Sequence, residues 1–350
     1  MLDILSAILK SVDYTIPIFC IRAMAFIIGF FLVATILANL FVPLYNLIFA
    51  KKYGYKIKFL IIFGMVFTKI GDKWKKILYN SSPLSAAIPM IDSNNIQKNY
   101  LEKEKQLAYS ERFTKLFLSI IIFTLTLKPI IGFFKGESIS IINLFFIGFS
   151  TGMIFHSINH IGISIYVYEK LYKGILSYIH SKTELLLNGE SIENLDLKPI
   201  EELPYNSPSA MEKIYYYLFY SSYLLSLNKT EEMNKISLEM TDILMKNNTN
   251  IVNYLCNYLG YYWLVFYYSE IKTDKEKAED FFKKIEPIIM NDEDSNAKRV
   301  LAYYYYRINN DAEKAKSLIE EGLSRIDNFS FGPDRALEKD LLLKLKNEII

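Results

Sequence analysis

Three long apolar runs in the first 170 residues constrain this chain more than any other feature. A helix that crosses a bilayer needs about 20 mostly apolar residues, because each backbone amide left unsatisfied in hydrocarbon costs several kcal/mol and a helix satisfies them internally. Such runs cover about residues 14–50, interrupted only by Arg22 and Pro43, then 116–134, with Lys128 near its end, and 139–167. The first is too short for two spans and a turn, so it reads as one long helix kinked near Pro43, where a ring and a missing amide break the ladder. Only Lys135, Gly136, Glu137 and Ser138 separate the second run from the third, which implies a tight antiparallel hairpin.

Composition agrees with two environments in one chain. At 350 residues and 51% hydrophobic there is room for two folding units and too much apolar surface for one soluble domain. A net charge of +2 gives no basic field, so nucleic acid is not an expected partner. Cys20 and Cys256 lack the spacing of a disulfide framework or zinc site and read as packing residues. Lys10 is a weak start for a cleavable signal, so the first apolar segment is expected to stay.

Lysine and arginine set the expected orientation. Lys51, Lys52, Lys56, Lys58, Lys69, Lys73, Lys75, Lys76 and Arg112 lie between the first two runs, and Lys170 and Lys173 follow the third, whereas the loop between the second and third has one lysine. The N-terminus is then outside and the C-terminal half cytoplasmic. Arg22 and Lys128 fall towards the outer ends of their runs, where snorkelling accounts for them. Residues 56–70 and 73–79, parted by Gly71-Asp72, read as a β-hairpin over about 56–79. Its apolar first strand is expected at the bilayer surface, with the lysines within reach of anionic headgroups.

Residues 41–92, FVPLYNLIFAKKYGYKIKFLIIFGMVFTKIGDKWKKILYNSSPLSAAIPMID, resemble the opening of site-2-protease-like (M50) membrane metallopeptidases. Ala50, Gly54, Tyr55 and Lys56 sit where that family leaves its HExxH helix and enters a membrane-associated β-hairpin. The resemblance implies a transmembrane domain over 1–185. It also places the HExxH window on Val42, Pro43, Leu44, Tyr45 and Asn46, with no histidine ligand and no glutamate base. The family's later Asp-Gly ligand has no match, since no Asp occurs between Asp92 and Asp196. Zinc hydrolysis needs imidazole or carboxylate ligands and a base for the metal-bound water. The resemblance therefore implies a pseudoprotease with no catalytic residue and no cofactor.

An alternative rests on His156 and His160, four apart and so on one helix face, as the two ligands of HExxH are. Ser157 stands at the glutamate position and Asn159 is a weak further donor. This reading gives an active metal-dependent intramembrane protease with zinc. Interhelical hydrogen bonding is the simpler role for both histidines. His180 reads as an ordinary surface histidine.

Beyond a polar, proline-bearing linker over 186–208, residues 209–350 alternate two kinds of helical stretch. Aromatic-rich stretches cover 211–227, 251–268 and 297–308, and charged amphipathic ones cover 230–242, 273–285 and 311–322, each opened by a capping residue. A period near 40 residues marks a helix-pair solenoid, and the triplets starting at Lys277 and Lys314 resemble second helices of tetratricopeptide repeats. Residues 333–350 supply a charged cap. Among the clustered tyrosines, Tyr216, Tyr262 and Tyr304 are candidates to line a peptide-binding groove, against interior packing.

The expected fold class is thus mainly α: about three transmembrane helices with a small membrane-associated β-hairpin, then a tetratricopeptide-like repeat domain. The expected protein sits in a bacterial cell membrane, the AT-rich-genome composition giving the source. It binds a peptide or protein through its membrane cavity, its repeats or both, in peptide processing, export or self-protection. A plain membrane anchor for the repeats is a third reading.

Overall fold

The computed structural model describes residues 15–70, 73–79, 86–91, 100–134, 140–171, 174–187, 190–204, 208–246, 255–326 and 335–349. It is mainly helical with a small antiparallel sheet. The chain divides into two compact units: one takes in the chain up to Tyr45 and Gln106–Tyr166, the other Asn46–Lys105 and Val167–Ile350.

The first unit is helical. Helix α1 (Thr15–Ile27) passes through a π-helical turn, Ile28–Val33, into α2 (Ala34–Phe49). The departure from α geometry falls at Gly29, ahead of Pro43, through which α2 runs on to Phe49. Helices α3 (Tyr100–Phe134) and α4 (Ile141–Leu171) follow, and the amide of Asn143 donates to Ser140 Oγ at 3.1 Å at the start of α4. The expected hairpin residues 135–138 lie outside the described residues. A Cβ on Gly148 would stand 2.2 Å from the Phe26 carbonyl oxygen, and one on Gly29 would stand 2.3 Å from that of Phe145. Backbone therefore meets backbone where the first helical run crosses α4, an approach that only a residue without a side chain allows.

Two helical segments are long and apolar enough to cross a membrane, Lys105–Ile131 and Ile141–Gly162, near the expected second and third runs. Within the expected first run, Cys20–Leu32 is an apolar stretch of a helical segment that runs from Thr15 to Phe49. Polarity in this unit is inverted relative to a protein surrounded by water. Ser119, Ser150, Ser157 and Lys115 are fully buried, while Phe117, Leu125, Ile142 and Ile158 are each more than half exposed.

The second unit opens with four strands, β1 (Tyr55–Ile62), β2 (Met65–Ile70), β3 (Lys73–Tyr79) and β4 (Ala86–Ile91), in the order β3-β2-β1-β4 with every pair antiparallel. The expected first strand over 56–70 is thus two strands. Phe63 and Gly64, at φ 46° and 78°, make the two-residue turn between them. Nothing polar marks that turn, which is why the run looks continuous in the sequence. Between β1 and β4 the register shifts around Lys58, a bulge that faces Pro89, whose missing amide suits such an interruption.

The helices of this unit are α5 (Ile175–Leu187), α6 (Ala210–Ser226), α7 (Thr230–Lys246), α8 (Leu255–Phe266, extended by a π-turn Tyr267–Ile271), α9 (Lys275–Ile289), α10 (Ser295–Arg307), α11 (Ala312–Ser324) and α12 (Arg335–Ile349). Helices pair as α6 with α7, α8 with α9 and α10 with α11; α8 packs on both α6 and α10, and α12 closes the series on α10 and α11. Each turn within a pair holds one residue at positive φ: Asn228, Thr273 and Asn310. Asp274 and Asp311 then cap α9 and α11 by accepting from the Lys277 and Lys314 amides at 3.2 and 2.9 Å, and a capping box of Ser209 and Glu212 starts α6.

The expected linker is a packed segment instead. Ile192, Leu195, Leu197, Ile200 and Leu203 are all buried in the core of this unit, with two short 3-10 turns between them. Lys182 Nζ donates to the Leu195 carbonyl at 2.7 Å. Hydrophobic residues spaced irregularly among acids and prolines carry no helical or strand period, so burial there was not legible.

One ion cluster ties the sheet to the helices. The bulge turns Lys58 to the same side as Phe59, whose ring meets Tyr258 edge-on at 5.1 Å. Lys58 Nζ pairs with Asp292 and lies 3.5 Å from Asp294; Asp292 also accepts from Tyr262 Oη at 2.9 Å and the Asp294 amide at 2.8 Å. Burial alone would pull the Lys58 ammonium down, but the two carboxylates outweigh it and hold it above the usual lysine value. Replacing Lys58 by Ala strands two carboxylates among apolar side chains, and we expect a loss of about 3–5 kcal/mol, or about 10 °C in the unfolding midpoint of this unit. Calorimetry of the full chain in detergent checks it. Because the folded value is raised, the contribution of Lys58 persists at neutral pH and fades only as pH climbs beyond about 10.5.

Candidate functional site

The residues in the HExxH window include no imidazole, thiol or carboxylate. Pro43 and Tyr45 are buried in α2, and Tyr45 Oη donates to Ser110 Oγ of α3 at 3.0 Å, a helix-to-helix tie. Ser110 Oγ in turn donates to the Leu107 carbonyl at 2.9 Å.

A polar seam between α3 and α4 is the chemically richest place in the first unit. Glu111, Lys115 and Ser119 recur every fourth residue and so form one column along α3, all of them buried. Facing them on α4 are His160, His156 and Ser157. Lys115 Nζ lies 3.0 Å from His160 Nδ1, and Ser119 Oγ lies 3.3 Å from Ser157 Oγ. Each serine also returns a hydrogen bond to its own helix, Ser119 to the Lys115 carbonyl and Ser157 to the Met153 carbonyl, both at 2.7 Å. Glu111 is held by Arg112 at 2.7 Å. The rings of His156 and His160 stand 6.3 Å apart, nearly perpendicular.

The two histidines thus share a face, as their spacing requires, but the neighbour that the sequence did not disclose is Lys115. A lysine has donors only, so His160 Nδ1 accepts and its ring proton belongs on Nε2. The lone pair that a metal would use is engaged. A divalent ion beside the ammonium would meet repulsion on the order of several kcal/mol even at a moderate effective dielectric constant. Among the described residues, no group of three or more His, Cys, Asp or Glu could hold a metal ion. Helical spacing could have flagged Lys115, because it completes the Glu111–Ser119 column; pairing it with α4 needed the register of the two helices.

The tyrosines expected to line a groove are interior. Tyr216 is fully buried and donates to the Lys198 carbonyl, Tyr262 reaches Asp292, and Tyr304 stacks on Phe282 at 4.2 Å. Tyrosine's large apolar body decides the matter once the hydroxyl finds an acceptor inside. His180, expected at the surface, is half-buried on α5, and burial pulls it down to about 4, leaving it neutral at pH 7.

Comparison with known proteins adds no relative: no family model, no curated protein and no solved structure matches the chain.

Removing the acceptor should expose the dependence of the seam on it. Replacing His160 by Ala leaves the Lys115 ammonium buried without its hydrogen bond, at a cost of about 1–3 kcal/mol. The same replacement made in a Lys115→Met background should cost measurably less. Thermal unfolding of the four proteins of this cycle in one detergent reads the coupling directly.

Proposed function

We propose that this chain is a bacterial membrane protein of the site-2-protease type that has lost its catalytic residues and binds a peptide or protein partner. The reading assigns it three transmembrane helices, an outside N-terminus and a cytoplasmic tetratricopeptide-like domain built from the stacked helix pairs. The observation that carries it is the substitution of charge in the seam: a lysine is paired with the histidine that would otherwise face a metal. The inverted polarity of α3 and α4 supports a lipid surrounding, and the helix stack supplies a scaffold of the kind that holds extended partners. Such a protein would assist the processing or export of a small peptide, or protect the cell that makes it.

The test is metal content together with capture. Full-length protein purified in detergent should carry far less than one zinc per chain, unchanged in a His156→Ala, His160→Ala double variant, and should retain a partner from its own membranes that is lost when residues 209–350 are removed. Stoichiometric zinc that disappears in the double variant would instead identify an active metal-dependent intramembrane protease. Protease added outside intact cells should leave the C-terminal half undigested.

A further inference from the structure

The Lys58 cluster holds the parts of a reaction as well as those of a salt bridge. An amine and a carboxylic acid in water remain ions, because water solvates both charges and is itself in excess. Neither condition holds where Lys58 meets Asp292. Their side chains are 12% and 2% exposed. Beside them the rings of Phe59, Tyr258 and Tyr262 form an aromatic wall, with 5.1 and 5.4 Å between successive centroids. Two charges held in such a place carry a desolvation cost, and a neutral amide in their stead removes it.

The geometry supplies what else such a condensation needs. Lys58 Nζ bears directly on Asp292 Oδ1, one bond from the carbon under attack. The Asp292 carboxyl is polarised from two sides, by Tyr262 Oη on Oδ2 at 2.9 Å and by the Asp294 amide on Oδ1 at 2.8 Å. Asp294 Oδ2, 3.5 Å from Nζ, is placed to take a proton from the ammonium. The bulge and the surrounding core hold these groups together, so the entropy of bringing them into contact is already lost on folding. By contrast Arg299, buried against Glu338, presents a guanidinium that keeps its proton and offers no nucleophile.

We propose that Lys58 and Asp292 condense into an isopeptide bond that joins β1 covalently to the turn between α9 and α10. Asp294 accepts one proton from the Lys58 ammonium, and the freed amine attacks Cγ of Asp292. The N–C bond forms, Tyr262 holds Oδ2 as the carbonyl oxygen, and Asp294 passes its proton to Oδ1. A second proton leaves the nitrogen for Oδ1, the C–Oδ1 bond breaks, and one water departs. Ammonium and carboxylate have become amide and water, with no other reactant and no change of oxidation state. The ion pair is the state that precedes the bond, so the fading of its stabilisation at high pH belongs to chain that has not reacted. This goes beyond the partner-binding reading and stands or falls without it.

Mass spectrometry of the full-length protein, purified in detergent and then fully denatured, tests it. The chain should weigh one water less than its sequence, and closing a loop between residues 234 apart should make it run faster than a linear chain on a denaturing gel. A tryptic digest should contain a branched peptide joining residues 57–69 to residues 285–298, because an acylated Lys58 is no longer cut. Lys58→Arg keeps the cation without the amine and should hold its full mass. Asp292→Asn should give the same branched peptide with loss of ammonia in place of water. Asp294→Asn leaves Lys58 facing Asp292 and should be at least about tenfold less cross-linked in protein harvested at the same time. Full sequence mass in the parent chain means a salt bridge only and overturns the proposal, and that measurement stands even where a variant fails to fold. A lost water that the digest traces to an aspartyl succinimide, with no branched peptide, overturns it as well. Undiminished cross-linking in Asp294→Asn overturns the role given to Asp294.

Discussion

The buried pairing of Lys58 with Asp292 and Asp294 is the interaction on which the architecture of the second unit turns. It acts together with the apolar contacts that join the sheet to the helix stack. With it, Phe59, Ile61 and Val66 belong to the same core as Tyr258, Tyr262 and the helices beyond. The pairing is possible only because a bulge places two successive side chains, Lys58 and Phe59, on one side of β1, so that ion pair and aromatic contact are made together. A charged cluster of this kind adds less net stability than its Coulomb attraction suggests, since desolvation cancels most of it. Its effect is to fix one docking position, because any other would leave three charges dry and unmatched.

Much of the fold was legible because its signals are local. Helical spacing of apolar residues and the capping residue Asp311 marked the charged helices α7, α9 and α11, and the aromatic stretches between them became α6, α8 and α10. The unbroken apolar runs marked α3 and α4. What failed depended on contacts distant in sequence. The linker is core because irregularly spaced Leu195, Leu197 and Ile200 meet helices far along the chain, and the Phe63-Gly64 turn carries no polar residue to betray it. Tyrosine direction was equally hidden: Tyr262 points inward because Asp292, thirty residues later, waits there for its hydroxyl.

The candidate site was half legible. The spacing of His156 and His160 located the seam, and their chemistry alone suggested a metal. Lys115 changes the sign of that suggestion, and its role appears only when α3 and α4 are set antiparallel with Ser119 against Ser157. A residue type that would be a snorkelling lysine on an outer face becomes, turned inward beside an imidazole, the dominant charge of the unit.

Repeat arrays usually tolerate the loss or gain of a layer, because neighbouring interfaces are alike. The stack here departs from that habit through its tyrosine hydroxyls. Tyr216 is tied to Lys198, Tyr217 to Glu239, Tyr267 to Asn234 and Tyr303 to the Leu341 carbonyl, and no two of these acceptors are the same kind of partner in the same place. Excising one pair would leave phenols facing hydrocarbon where an oxygen had been. Interchangeable layers give way here to individual ones, and these helices are bound to melt as a block rather than fray layer by layer.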